Sequence, residues 1–297
     1  MVDVSVIIVN YNTCSLTAAC IDSVFAKTKD LDFEIILVDN ASGDGSKEFF
    51  ENDKRIKYIY LEKNIGFGRA NNIGYEHSSG KYIFLLNSDT YLLNNALKLF
   101  FDKMENTEGD VACMGTLLQN PEGEIIHSYG RFITVGPLLK ELIAGKPYDR
   151  YDPEEWKSDG ADYFKVDYVT GADLFIRRSV IERCGFFDPD FFMYYEDAEL
   201  QARFSRSGFY SYIFSPPKIV HLFSQSADRK KAPTATGRLI AACKKRSRRI
   251  YSERLFFKKT KSRYEYLFKY LPFTILETIV LFFTDLFDRF RNLFRRK

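Results

Sequence analysis

Four short apolar runs, each followed by a segment of helical period, do most to limit what this chain can become. Residues 4–9, 34–38, 56–61 and 82–86 are rich in Val, Ile and Leu. A run that is apolar at consecutive positions has no face to offer water, so it reads as a strand buried on both sides. Between the runs, residues 15–26 place Leu16, Ala19, Cys20 and Val24 on one helical face. A second helix starts in Asn64-Ile-Gly-Phe-Gly-Arg-Ala-Asn-Asn and stops at Ser78-Ser-Gly80, and residues 93–104 form a third. This alternation predicts an α/β fold with a doubly wound, mostly parallel sheet flanked by helices. Ligands of such sheets sit in a crevice at the C-terminal ends of the strands. The polar segments that begin at Asn10, Asp39 and Asn87 all fall there.

The pattern weakens beyond residue 110. Residues 111–118 and 125–132 flank Gln119-Asn-Pro-Glu-Gly-Glu, which reads as a hairpin. Residues 136–166 are irregular and hold the sole Trp, Trp156, as lids and acceptor-binding loops often do. A helix is expected at 179–183, another at 195–207, and strands at 210–214 and 218–222, the last carrying His221.

Composition adds a charge split. Residues 1–227 carry 23 Lys/Arg against 34 Asp/Glu, residues 228–263 carry 14 against 2, and residues 264–297 carry 6 against 4. An acidic body is thus joined to a strongly basic segment and then to an amphipathic, aromatic tail. The division expected is a domain at 1–227 and a helical extension at 228–297. The tail's longest nearly apolar stretch, residues 270–284, includes Glu277 and is short of the ~20 residues that span a bilayer. Its composition suits a membrane surface; the alternative is packing on the protein itself or on a second copy, as a homodimer. The first twelve residues lack the basic start of a signal peptide. Five scattered cysteines give neither a disulfide framework nor zinc spacing. A cytoplasmic protein, peripheral at the inner face of the membrane, is expected.

Two acidic stations carry the chemistry. Glu196 and Asp197 stand side by side after Phe191, Phe192, Tyr194 and Tyr195. Burial and a like neighbour both disfavour charge on such a pair, so it reads either as a pair with a positive partner or as a base with a tuned pKa. The strand at 82–86 ends in Asn87-Ser88-Asp89-Thr90. Hard divalent cations such as Mg²⁺ take one or two carboxylates and complete their shell with phosphate and water. A histidine such as His221 leans the choice toward Mn²⁺. Asp39 can accept from a nucleobase or ribose. The Gly66-Phe67-Gly68-Arg69 helix start can approach phosphates through its N–H groups, with Arg69 pairing them. No GxxxxGK[ST] run and no nucleophile elbow occur.

The segments VSVIIVNYNT, VDNAS, NIGFGRANN, LLNSDT, TGADLFIRR, FFMYYEDAELQARFSRSGF and HLFSQS, in this order over roughly residues 1–225, resemble family 2 glycosyltransferases. The bacterial rhamnosyltransferase-like branch is the nearest in kind. The resemblance implies a GT-A fold, which is a Rossmann-like nucleotide-diphospho-sugar transferase sheet. It also implies an inverting reaction, a nucleotide-sugar donor (UDP- or dTDP-linked) and Mg²⁺ or Mn²⁺. By the family pattern Asp39 contacts the nucleobase near Tyr11, and Asp89 binds the metal with His221 as a further ligand. Asp197 is the base, with Glu196 assisting or binding acceptor, and Gly171, Ala172 and Asp173 line the sugar site. Asn71 and Asn87 complete the donor-side set. The family's metal motif is often Asp-x-Asp, and Asn87 holds its first position here. Cell-surface glycans are commonly built on a polyprenyl-diphosphate carrier, whose phosphates the basic segment would suit. Three competitors are weaker: a nucleotidyltransferase, which places a Gly-rich loop where Asn10-Tyr-Asn-Thr stands; a catalytically silent nucleotide-sugar or glycan-binding module, which has no need of Asp197; and a nucleic-acid binder, disfavoured by the acidic body.

Overall fold

The computed structural model describes residues 2–136, 139, 162–222, 235–261, 265–272 and 274–275, with the backbone alone for 235–246. The expected lid at 136–166 and the amphipathic tail lie largely outside these residues. The chain divides into two compact units. Met1–Phe132 and Tyr151–Glu253 make the first, Ile133–Arg150 and Arg254–Lys297 the second. The change of composition at Asp228 is therefore not where compactness divides the chain.

In the first unit, β1 (Val4–Asn10), β2 (Phe33–Asp39), β3 (Lys57–Tyr60) and β4 (Tyr82–Asn87) run parallel in the order β3-β2-β1-β4. The helices α1 (Cys14–Lys27), α2 (Ser46–Phe50) and α3 (Phe67–Glu76) connect them. Past β4 the sheet becomes mixed. The short β5 (Thr90–Leu92) and the helix α4 (Ala96–Glu105) lead to β6 (Val111–Gly115). β7 (Tyr129–Gly130), β8 (Tyr163–Val166) and β9 (Tyr168–Val169) precede β10 (Asp173–Arg177). β10 inserts antiparallel between β4 and β6, and β11 (Tyr210–Phe214) lies parallel to β6 with β8 antiparallel at the edge. The helices α5 (Arg178–Cys184) and α6 (Glu196–Arg206) precede β11, and β12 (Ile219–His221) follows it.

Both faces of the sheet are covered, which is why the strand sequences lack alternation. Val4, Val6 and Ile8 of β1 face a core that includes Cys20, Ile21, Leu97 and Phe100. Ile7 faces the other core, with Ala70, Ile181, Leu200 and Phe204. Register sets the strand ends level, with Asn10 opposite Asp39 and Val9 opposite Asn87. The polar ends of β1, β2 and β4 therefore share one edge, as the alternation predicts.

Two local expectations need correction. The hairpin around residues 119–124 is only a tight turn closed by one antiparallel bridge, Gln119 to Ile125. Gln119 also bridges Val220 in parallel, so its pairing capacity is drawn to β12. The helix expected from residue 93 starts at Ala96, because residues 90–92 pair with β12 and the Leu93 N–H donates to the Lys218 carbonyl. No described helix is long and apolar enough to cross a membrane.

Phe175 of β10 packs its ring 5.1 Å from Tyr82, 5.9 Å from Phe84 and 5.4 Å from Phe100, and is fully buried. Phe175→Ala is expected to cost about 3–5 kcal/mol in a urea-unfolding measurement. A loss below about 1 kcal/mol contradicts this packing.

Candidate active site

At the end of β1, Asn10 organises the loop that follows. Its carbonyl oxygen accepts from the hydroxyls of Thr13 (2.8 Å) and Thr17 (2.9 Å), and its amide donates to Ser42 Oγ at 3.0 Å. Asp39 sits beside it with no exposed surface. One Asp39 oxygen accepts the Ser42 N–H at 2.8 Å and the other accepts the Tyr58 hydroxyl at 2.9 Å. The position expected for Asp39 is thus occupied, but its carboxylate is engaged from within, chiefly by Tyr58, which the sequence patterns did not single out. Tyr11 stands beyond it, 43% exposed.

The end of β4 turns sharply through Asn87-Ser88-Asp89-Thr90. Thr90 Oγ1 donates to the Asn87 carbonyl at 2.7 Å, and Ser88 Oγ meets Thr13 Oγ1 at 3.0 Å, tying this turn to the β1 loop. β12 then returns antiparallel to β5, with His221 opposite Thr90. This pairing brings His221 Nε2 to 3.1 Å from Asp89 Oδ1, across 132 residues of chain. Both side chains are largely buried, 10% and 15% exposed. An imidazole nitrogen and a carboxylate suit Mn²⁺ or Mg²⁺ as a partial ligand set. Among the described residues no group of three candidate ligands occurs.

The second acidic station opens α6. Asp197 Oδ2 accepts the Gly171 N–H at 3.1 Å, and Oδ1 accepts the Ala198 N–H at 2.8 Å. Gln201, one turn on, donates to the Val169 carbonyl at 2.7 Å and accepts the Val169 N–H at 2.8 Å, holding the strand before Gly171 against α6. The next residue, Ala172, accepts from the Asn87 N–H at 3.0 Å. The path from Asp89 to Asp197 thus runs through Asn87, Ala172 and Gly171 by two hydrogen bonds and short stretches of chain. Arg203 fastens the same helix below. It pairs with Glu199 at 2.9 Å and donates to the carbonyls of Cys184 and Phe186.

Burial pushes the Asp197 pKa up, opposed by the N–H groups of Ala198 and Gly171. Glu196 is pushed up by burial first and by the charge of Asp197 second. It is 7% exposed, and its Oε2 has no hydrogen-bond partner. The pair therefore favours a single negative charge, on Asp197, where N–H groups receive it. Immediately before them Tyr194 and Tyr195 both have positive φ, 74° and 67°. Neither is glycine, so each costs on the order of 1–2 kcal/mol unless its neighbours hold it.

Several expected residues are turned elsewhere. Asp173 is fully buried, and its Oδ2 accepts the Thr116 N–H at 2.6 Å. Burial drives its pKa well above the carboxylate range. Of the Gly171-Ala172-Asp173 trio, Gly171 is the member that touches Asp197. Asn71 is 1% exposed and donates to the Phe67 carbonyl within its own helix. At the α3 start, the Phe67 N–H donates to the Phe192 carbonyl at 3.1 Å and Arg69 Nε to the Pro189 carbonyl at 2.6 Å. Gly66, at φ 91°, lies so close to that carbonyl that a Cβ there would stand 2.3 Å from Phe192 O. The absence of a side chain at Gly66 permits this contact.

Comparison with known proteins places the chain in a family. Residues 5–185 match the family described as Glycosyl transferase family 2, and the chain belongs to that family. An uncharacterized glycosyltransferase of Rickettsia bellii is 41% identical over 147 residues, covering 48% of this chain and 21% of the relative. Glycosyltransferase GlyG of Streptococcus pneumoniae is 30% identical over 183 residues, covering 60% and 48%. The chain thus spans less than half the length of these relatives. The crystal structure of GalNAc-T7 with UDP, GalNAc and Mn²⁺ superposes with a TM-score of 0.60 at 16% identity, over 82% of this chain and 48% of that one. The shared architecture is the GT-A fold.

Because the native state holds the Glu196 proton more tightly than the unfolded chain, stability falls as pH rises above the ordinary carboxylate range. Glu196→Gln removes that titration. The melting temperature of the variant relative to wild type is expected to be higher at about pH 8 than at about pH 5, by roughly 2–4 °C for each kcal/mol relieved. Parallel curves contradict a raised Glu196 pKa.

Proposed function

We propose that this chain is an inverting glycosyltransferase that moves a hexose, rhamnose-like or other, from a nucleotide-diphosphate donor to a hydroxyl of a glycan or lipid-linked acceptor. The observation that supports it most is the short hydrogen-bonded path from the Asp89–His221 pair to Asp197. A ligand station for a diphosphate and a buried base beside each other are what a single displacement at a sugar C1 requires.

Breaking the sugar–phosphate bond leaves charge on the departing diphosphate. A Mg²⁺ or Mn²⁺ ion supplies the electrostatic stabilisation for that charge when bound. Asp89 and His221 are the residues that would hold it. Asn87, the last residue of β4, leads into the same turn and is assigned to the donor side. Tyr11 is the exposed aromatic surface for the nucleobase of a UDP- or dTDP-linked donor, with Asp39 holding the loop behind it. Asp197 takes the proton of the acceptor hydroxyl as it attacks from the opposite face, so one displacement inverts the anomeric centre. The N–H groups of Gly171 and Ala198 keep that carboxylate ionised while its neighbour Glu196 carries the proton. Gly171, without a side chain, lets the Phe67 ring and Asp197 approach the same point, where a Cβ would stand 3.1 Å from Phe67 Cε1.

The basic segment and tail extend the reading to a membrane surface. Between residues 228 and 263 the excess of twelve positive charges suits anionic lipid and the phosphates of a polyprenyl-diphosphate acceptor. Leu267, Leu271 and Ile275 are exposed apolar residues of the second unit. A protein truncated after residue 263 keeps the basic segment and is expected to bind anionic vesicles more weakly than the full chain in a sedimentation assay. Undiminished binding contradicts the anchor, and a fall in solution mass from dimer to monomer on truncation assigns the tail to a second copy instead.

Asp197→Asn is expected to lower turnover by roughly 10²–10⁴-fold while nucleotide affinity stays within about twofold. Retained turnover contradicts the base. Asp89→Ala and His221→Ala are each expected to weaken UDP binding with Mn²⁺ present by about tenfold, ~1.4 kcal/mol. Unchanged affinity by calorimetry contradicts their role at the diphosphate.

A further inference from the structure

We infer that Ser252 and Glu253, on a helix far downstream, are positioning residues for Asp197. The inference rests on Asp197 as the base. The helix α7 (Ala235–Thr260) meets the turn that launches α6 through its residues up to Glu253, all within the first unit. Ser252 Oγ donates to the Met193 carbonyl at 2.8 Å, and the Tyr195 hydroxyl donates to Glu253 Oε2 at 2.8 Å. Arg248 lies over the Phe192 ring, 5.2 Å from its centroid. Ser252 is 2% exposed, so its hydroxyl is placed for this contact rather than for water.

The turn needs holding. Tyr194 and Tyr195 are two successive non-glycine residues at positive φ, and such a pair persists only where surroundings over-determine it. From the side of α3, the Phe67 N–H holds the Phe192 carbonyl. From the side of α7, Ser252 and Glu253 hold the next two points, Met193 and Tyr195. Asp197 follows Tyr195 by two residues and has no freedom to move without that turn. Charge makes the Tyr195–Glu253 bond stronger than a neutral one. A displacement of about 1 Å at a reacting group can cost on the order of 10²-fold in rate. The basic helix thus does more than carry charge: it fixes the base.

Among the described residues, the contacts that hold the nucleotide side come from elsewhere than α7. Asp39 is held by Tyr58, Asn10 and Ser42, and Asp89 by His221 and Leu222. Loosening α7 should therefore separate turnover from nucleotide binding.

The test compares Ser252→Ala, Glu253→Ala and Tyr195→Phe with Glu253→Gln, which keeps an acceptor for the Tyr195 hydroxyl. Hydrogen exchange is read over residues 191–200 and over residues 36–42 and 87–90. UDP affinity with Mn²⁺ and release of nucleoside diphosphate in a screen of UDP- and dTDP-sugars complete it. The first three variants are expected to speed exchange about tenfold or more in 191–200 alone. They should lower turnover by roughly tenfold or more, with UDP affinity unchanged within about twofold, and Glu253→Gln should recover most of the loss. Exchange unchanged in 191–200, or accelerated equally in all segments, overturns the inference. Asp197→Asn run alongside separates the two claims. If it turns over normally, the base assignment fails. If it is inactive while the other variants match wild type, the positioning role fails.

Discussion

A sheet buried on both faces meets water only at its strand ends. That constraint governs this molecule. Val6 and Ile8 face one core and Ile7 the other, and both cores are closed by helices. Polar chemistry is excluded from the strands and collects where they stop. Because β1, β2 and β4 end in register, Asn10, Asp39 and Asn87 are brought level at one edge. The antiparallel β10 then carries Ala172 and Gly171 to the same edge from the opposite direction, and Gly171 meets Asp197. Without that reversal of strand direction, the two acidic stations would have no common border.

The electrostatics follow from the same arrangement. Asp197 and Glu196 are adjacent in sequence yet differ in surroundings. Asp197 receives two backbone N–H groups, while Glu196 Oε2 has none. Two neighbouring carboxyls with unequal hydrogen bonding settle into unequal protonation. The cost of placing them there is carried by contacts made at a distance: Gln201 on β9, Arg203 on the carbonyls after α5, and Ser252 and Glu253 on α7. A helix opening with two buried acids is stable only inside such a frame.

Much of this was legible in the sequence. Consecutive Val, Ile and Leu in residues 4–9 and 82–86 imply burial on both sides, and abrupt stops at Asn10 and Asn87 imply strand ends. The pairing of Asp89 with His221 was suggested by two strand ends and strengthened by the resemblance, with no spacing to show it. It rests on β5 and β12, three-residue strands too short to show periodicity. The antiparallel entry of β10 was not legible, since residues 173–177 read as an apolar run of either direction. Arg69 and Asn71 were assigned to the donor because a Gly-rich helix start is a general phosphate cradle. In the fold the Phe192 carbonyl also takes the Phe67 N–H of that start, a tertiary contact that no local pattern announces. Gln201 did leave a trace, standing one turn after Asp197, but a lone glutamine on a helix carries no meaning until its strand partner is known.

The account stands on Asp89, His221 and Asp197 bordering a single cavity around one donor. A crystal structure of the protein soaked with UDP and Mn²⁺ tests this most directly. The account predicts the ion between the diphosphate and the Asp89–His221 pair, with the Asp197 carboxylate across the same hollow from the diphosphate. A nucleotide seated elsewhere, or an ion held by other residues with Asp197 facing a separate cleft, contradicts it.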